Sequence, residues 1–440
     1  MRLLVLLFLY CFCGTVSAHK KNDFAAQDYI QALKRVTDVM LNDVASPVAA
    51  SRYYAYITLT THEIQSAYNP KRNPSFAGHL NGFKGIDTQE CPIKQSNASL
   101  ATLLAVLKMG ERLLPSGYLL RTQSDSIILE AQKRGIMPAA ITASITVVDR
   151  VVVQMMAYAK SDGFPQLNTL KRYTPLQGDA WWQPTSPAFM PPVEPNWGKL
   201  RTFILDSGQQ FVPVRPAAYD TAHQSSFYQQ MLEVYAIVNR KDTAEQAIAQ
   251  YWDCNPFAVQ QIGHVQFGLK KISPGGHWIG ITGIACLKKG FNLQKTVRAH
   301  AMVGLTLADA FIACWDEKYR SNRVRPETAI RKLLDPRWMP LLQTPPFPEY
   351  VSGHSVASSA VAVVLTRIFG DNFAFTDDTE VEFDLPRRSF TSFEAAAGEA
   401  SISRLYGGIH FRDGIEAGVV LGRRVGETGV SRFGAAYLLR

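Results

Sequence analysis

Apolar residues recur three or four positions apart over most of this chain, and strict alternation of apolar and polar residues is scarce. A 3.6-residue period places such positions on one helix face, whereas a half-buried strand needs a period of two. Segments 23–44, 49–67, 99–114, 140–159, 226–239 and 243–251 carry the helical period, and the stretch beginning at Pro274 opens another helix. From 292 onward, four further apolar helices (296–315, 355–369, 392–406 and 412–425) alternate with polar, Pro- or Gly-rich connections, a four-helix pattern. The expected fold class is all-α: an N-terminal helical region over 19–291 packed on a C-terminal bundle over 292–440. A chain of 440 residues, 47% of them hydrophobic, can bury a core of that size. One stretch breaks the period. Residues 163–216 are rich in Pro, Trp and Gly and are expected to form a long ordered loop over the bundle, anchored by Trp181, Trp182 and Trp197.

Residues 1–18 read as an export signal, with Arg2, a short apolar run and small residues before the cut, so a secreted or periplasmic protein is expected. The apolar run 140–157 is interrupted by Asp149 and Arg150 and reads as a buried helix, not a membrane span. Cys91, Cys254, Cys286 and Cys314 form no CxxC pair, which leaves zinc and redox motifs unsupported; in an oxidising compartment they could form one or two disulfides. The net charge of +9 is spread along the chain without a basic-aromatic nucleic-acid motif. Composition alone does not decide whether such an excess serves solubility or attracts an anionic substrate.

Three separated clusters share that theme. In "WDEKYRSNRVRP", Lys318 and Arg325 are two helical turns apart, and Pro326 places Arg325 near a helix end. In "TPPFPEYVSGHS", three prolines stiffen a loop that delivers Ser352-Gly353-His354 to a helix start, where free backbone N–H groups would cradle an oxyanion. Ser352 also reads as an ordinary N-cap. A cap has no need of His354; a proton donor to an anion's oxygen does. In "SRLYGGIHFRDG", Arg404 offers a planar fork for a tetrahedral oxyanion, and His410 offers a ring nitrogen for attack on phosphorus or ligation of a metal. A carboxylate would hold the other ring nitrogen, and Asp413 stands three residues on. His277 reads as structural or at the pocket mouth, His62 and His300 as core residues, and Asp253 as a candidate partner of a pocket arginine.

In this order and spacing, Lys318…Arg325-Pro326, Ser352-Gly353-His354 and Ser403-Arg404…His410 resemble the type 2 phosphatidic acid phosphatase and vanadium-dependent haloperoxidase superfamily, over roughly 300–425. The resemblance implies that Lys318, Arg325, Ser352, Gly353 and Arg404 bind the oxyanion. It makes His410 the ligand of vanadium or the phosphoryl acceptor, and His354 the general acid-base. Two positions depart from the family pattern. Val351 stands where proline is usual, and Gly414 stands where the family often places an aspartate four residues after the last histidine, leaving Asp413, or Glu416, as the acid. One pocket would serve either of two reactions: halide oxidation by hydrogen peroxide with vanadate as cofactor, or hydrolysis of a phosphate ester without one. Trp315, one turn before Lys318, and Phe347, where bromoperoxidases tend to carry histidine, favour the haloperoxidase branch as halide-pocket residues. A secreted acid phosphatase is the alternative.

Overall fold

The computed structural model describes residues 23–186, 189–262, 265–268 and 271–434, so the leader-like residues 1–18 lie outside them. Thirteen α-helices dominate the described residues: α1 (Ala26–Asn42), α2 (Pro47–Tyr68), α3 (Ala98–Leu113), α4 (Arg121–Lys133), α5 (Pro138–Lys160), α6 (Ser226–Asn239), α7 (Thr243–Tyr251), α8 (Pro274–Lys288), α9 (Leu293–Ser321), α10 (Pro326–Leu333), α11 (Gly353–Phe369), α12 (Phe393–Tyr406) and α13 (Arg412–Phe433). Two small antiparallel pairs complete the order, β1 (Val259–Ile262) with β2 (Val265–Gly268) and β3 (Phe375–Asp377) with β4 (Arg388–Phe390). The fold is all-α, as the periodicity predicts. Helix α4 escapes that reading because it buries only Ser124 and Ala131 and so carries almost no apolar stripe.

Helix α9 is the axis of the molecule. By length and composition alone it could cross a bilayer, yet its apolar window is entirely enclosed by protein. That is the signature of a central core helix. It packs against α2 on one side and α11 on the other. Helix α5 buries only one face; Asp149 and Arg150 stand exposed on the other. The loop 163–216 is pinned by fully buried Trp182 and Trp197, whereas Trp181 stays exposed and holds on through its backbone, bridging to Arg323. The loop is also gripped by Asp309 of α9, which accepts the N–H groups of Phe203, Ile204 and Leu205 at 2.7, 2.7 and 2.8 Å. The four cysteines beyond the leader are free thiols, so the disulfides their number allowed do not form.

The bundle closes most tightly where α13 meets α11. Gly418, Gly422 and Gly426 recur every four residues on the face of α13 turned to α11. A methyl at Gly418 would stand 2.9 Å from Ser355 Cβ and 3.0 Å from Ser352 O, and methyls at Gly422 and Gly426 would overlap the carbonyls of Val356 and Ala360. Only hydrogen fits, and the first turn of α11 is held by its neighbour's backbone. Gly422→Ala should therefore destabilise the protein by about 1–3 kcal/mol, read as a lower denaturation midpoint. Exposed Val420→Ala on the same helix should leave the midpoint unchanged.

Candidate active site

Chain termination places the first two cations. Helix α9 ends at Asn322, which adopts the left-handed conformation (φ 49°), and Arg325 is extended as the N-cap residue of α10 ahead of Pro326. Lys318 on the last turn of α9 and Arg325 just beyond it both point inward and are fully buried. The third, Arg404, lies on the last turn of α12. Gly408 (φ 75°) then reverses the chain and carries it to His410, just before α13.

The proline-stiffened loop meets these cations with carbonyl oxygens. Phe347 O accepts Arg325 Nε at 2.9 Å, and Pro348 O and Glu349 O each accept Lys318 Nζ at 3.0 Å. Arg325 also donates to Ile409 O at 2.8 Å and to His410 Nε2 at 3.2 Å. Arg404 donates to Ser403 Oγ at 2.9 Å and to Trp252 O at 2.7 Å. No carboxylate among the described residues makes a hydrogen bond or ion pair with Lys318, Arg325 or Arg404. Burial, with Arg325 adding repulsion, brings the Lys318 ammonium down to about 7, and burial lowers Arg325 to about 10. Three buried basic groups that no carboxylate touches are a costly arrangement that an incoming anion relieves.

Glu349 decides the state of His410. Its Oε1 lies 2.8 Å from His410 Nδ1 and also accepts Phe411 N–H at 3.2 Å, while its Oε2 accepts Arg323 at 3.0 Å. A carboxylate on Nδ1 and a guanidinium on Nε2 leave one arrangement: the proton on Nδ1, the lone pair on Nε2. Burial first, then Arg325, Lys318 and Arg404, hold His410 well below the usual imidazole range, so the ring is neutral. Asp413 is not its partner. Asp413 pairs with Arg323 and accepts Ala217 N–H at 3.0 Å, reaching His410 only through Arg323 and Glu349; Glu416 points to solvent. Gly414 is the reason. A side chain there would overlap Glu349 Oε1, so the glycine vacates the space that the carboxylate enters from the opposite loop.

Ser352 is an N-cap, accepting Ser355 N–H at 3.3 Å, and its own N–H is not free as the motif suggested: it donates to Gly414 O at 2.9 Å. The free donors of this helix start are the N–H groups of Gly353 and His354, which have no acceptor among the described residues. Phe311, Trp315 and Phe347 line the pocket together with Gly353, His354, Arg404 and His410. The Trp315 and Phe347 rings are 4.9 Å apart, and Lys318 Nζ lies 5.1 Å from the Phe347 centroid. A methyl on Gly353 would make only ordinary contact with Trp315, at 3.7 Å, so packing alone does not demand glycine there. His354 Nε2 and the second terminal nitrogen of Arg325 are buried without partners. Burial, Arg404 and His410 keep His354 neutral. Asp253 lines this pocket, but its ion pair is with Lys271, and it makes no hydrogen bond or ion pair with Arg404, the kind of partner the sequence offered. His62 and His300 are core residues.

Comparison with known proteins decides between the two branches. A family model described as the VCPO second helical-bundle domain matches residues 298–436. The solved structure of a bacterial vanadium-dependent iodoperoxidase aligns with a TM-score of 0.86 at 42% identity, over 93% of this chain and 96% of that one. The chain belongs to the vanadium-dependent haloperoxidases. Bacterial vanadium-dependent chloroperoxidases in holo and apo forms share the fold at 16% identity, with TM-scores of 0.65 and 0.67, covering 89% of this chain and 93% and 95% of theirs. No curated protein matches the sequence significantly. The haloperoxidase likeness thus extends well beyond the three motifs into the N-terminal helices. Within a haloperoxidase site, loss of the Glu349 anchor frees the His410 ring. Glu349→Gln should weaken vanadate binding about 10- to 100-fold in equilibrium titration. Asp413→Asn, one interaction further out, should weaken it less; equal losses would show that Glu349 is not the direct anchor.

Proposed function

We propose that this haloperoxidase carries vanadate as its resident cofactor and oxidises iodide in preference to bromide or chloride. The observation that carries the cofactor assignment is the set of three buried cations solvated by neutral oxygens, with unpartnered nitrogens on Arg325 and His354 beside them. Such a cradle fits a small, highly charged oxyanion. Lys318, Arg325, Arg404 and the Gly353 N–H would hold its oxygens, with the Ser352 hydroxyl as a further donor, and His410 Nε2 would be its protein ligand. Bound there, vanadate supplies a Lewis-acidic centre that activates hydrogen peroxide toward halide.

The chain's own residues do the rest. Glu349 keeps the proton on His410 Nδ1, so Nε2 always presents its lone pair. Neutral His354 takes a peroxide proton at Nε2 and returns it to the departing oxygen. Phe311, Trp315 and Phe347 exclude water from the approach. Iodide sheds its hydration more readily than bromide or chloride, so an aromatic wall penalises it least. The 42% identical relative is named for iodide, which supports the same preference. The leader-like residues 1–18 support placement of the enzyme outside the cytoplasm.

With vanadate and peroxide, steady-state rates should fall in the order iodide, bromide, chloride; a chloride rate matching iodide would overturn the assignment. His410→Ala should abolish turnover, and His354→Ala should lower kcat by about 10²–10⁴-fold while sparing anion binding. The Lys318 ammonium adds a pH signature. Above pH 7 the free pocket holds it largely neutral, but a bound anion requires it charged. Affinity for tungstate, whose own charge is constant near neutrality, should fall by up to about tenfold per pH unit above 7. Proton uptake on binding, measured by calorimetry in two buffers, checks this, and Lys318→Met should remove the slope.

A further inference from the structure

Behind the pocket wall lies a second constellation that the anion chemistry does not use. Cys254, in the turn after α7, His277, in the first turn of α8, and Glu380, just after β3, converge in the interior at 2%, 0% and 5% exposure. Cys254 Sγ lies 3.3 Å from His277 Nδ1, His277 Nδ1 lies 3.1 Å from Glu380 Oε1, and Cys254 Sγ lies 3.8 Å from Glu380 Oε1. Tetrahedral zinc with Zn–S about 2.3 Å, Zn–N about 2.05 Å and Zn–O about 2.0 Å has corresponding edges of about 3.6, 3.3 and 3.5 Å. Each observed edge agrees within about 0.3 Å. The other ring nitrogen, His277 Nε2, lies 2.7 Å from Asp377 Oδ2. A carboxylate behind the far nitrogen is the support that metal-bound imidazoles use.

We propose that Cys254, His277 and Glu380 form a zinc site, with water or the second oxygen of Glu380 as fourth ligand. A thiolate, an imidazole and a carboxylate together suit Zn2+ and disfavour Ca2+ or Mg2+. Zn2+ entering this space binds His277 Nδ1 and Glu380 Oε1, takes the place of the proton on Cys254 Sγ, and touches all three donors at once. The site braces the active pocket. The Trp252 ring stacks on His277 at 4.6 Å, its carbonyl holds Arg404, and Cys254 itself lines the pocket.

The inference does not depend on vanadate, and its test needs no turnover. Chelator-stripped protein is titrated with Co2+, with and without vanadate. Expected are a near-ultraviolet thiolate-to-cobalt band saturating at one equivalent in both cases, and visible bands of tetrahedral intensity. Cys254→Ser should abolish the near-ultraviolet band. No such band, or one that persists in Cys254→Ser, overturns the site. If Cys254→Ser does not fold, Glu380→Gln replaces it: Co2+ affinity at least tenfold weaker supports the site, and unchanged affinity overturns it.

Discussion

Everything in this active site depends on how buried positive charge is solvated. Lys318, Arg325 and Arg404 lie in the interior, where a bare cation costs several kcal/mol, and the protein meets them with backbone carbonyls and a hydroxyl instead of carboxylates. Carboxylates would stabilise the empty pocket and compete with any anion entering it. Neutral oxygens keep the cations in place without satisfying their charge. The prolines at 345, 346 and 348 gain their meaning here: they stiffen a loop whose next carbonyls, from Phe347 to Glu349, face the cations. Where a carboxylate does appear, as Glu349, it is shared between His410 and Arg323, and its charge goes to fixing a tautomer.

Such a site requires a backbone that does not relax around it. The apolar window of the central helix α9 is enclosed by protein, and α11 is pressed against α13 closely enough that no side chain fits at Gly422 or Gly426. The helix start carrying Gly353 and His354 is therefore held by packing as well as by its own cap. Loop 163–216 covers this frame and is tied down by buried tryptophans and by three N–H groups converging on Asp309. Rigid elements carry the cations while a stiff loop supplies their oxygens, which suits a reaction that rests on preorganised charge.

Most of the fold could be read from the sequence because its helices bury one face or, for α9, all faces, and burial writes a period into the residues. Helix α4, with almost nothing buried, left no such mark. The anion site was legible because its residues sit in short motifs with characteristic spacing. What stayed hidden is whatever pairs across distance. Arg323 lies in plain view between Lys318 and Arg325, and Glu349 lies within the proline-rich stretch, yet nothing local reveals that one fixes the other or that both serve His410. The same holds for Cys254, His277 and Glu380, which span 126 residues and carry no spacing motif. Trp181 misled for another reason: its backbone and not its ring makes the attachment.

The empty side of Gly414 has a lasting consequence. The superfamily pattern often places an aspartate four residues after this histidine; this chain brings its acid from the proline loop and leaves the helix position clear to admit it. Neither residue can be traded alone, since an acid at 414 collides with the one already present and removal of Glu349 leaves the imidazole unguided. The two columns should therefore covary across lineages, each branch inheriting one solution or the other and passing between them only by a coupled exchange.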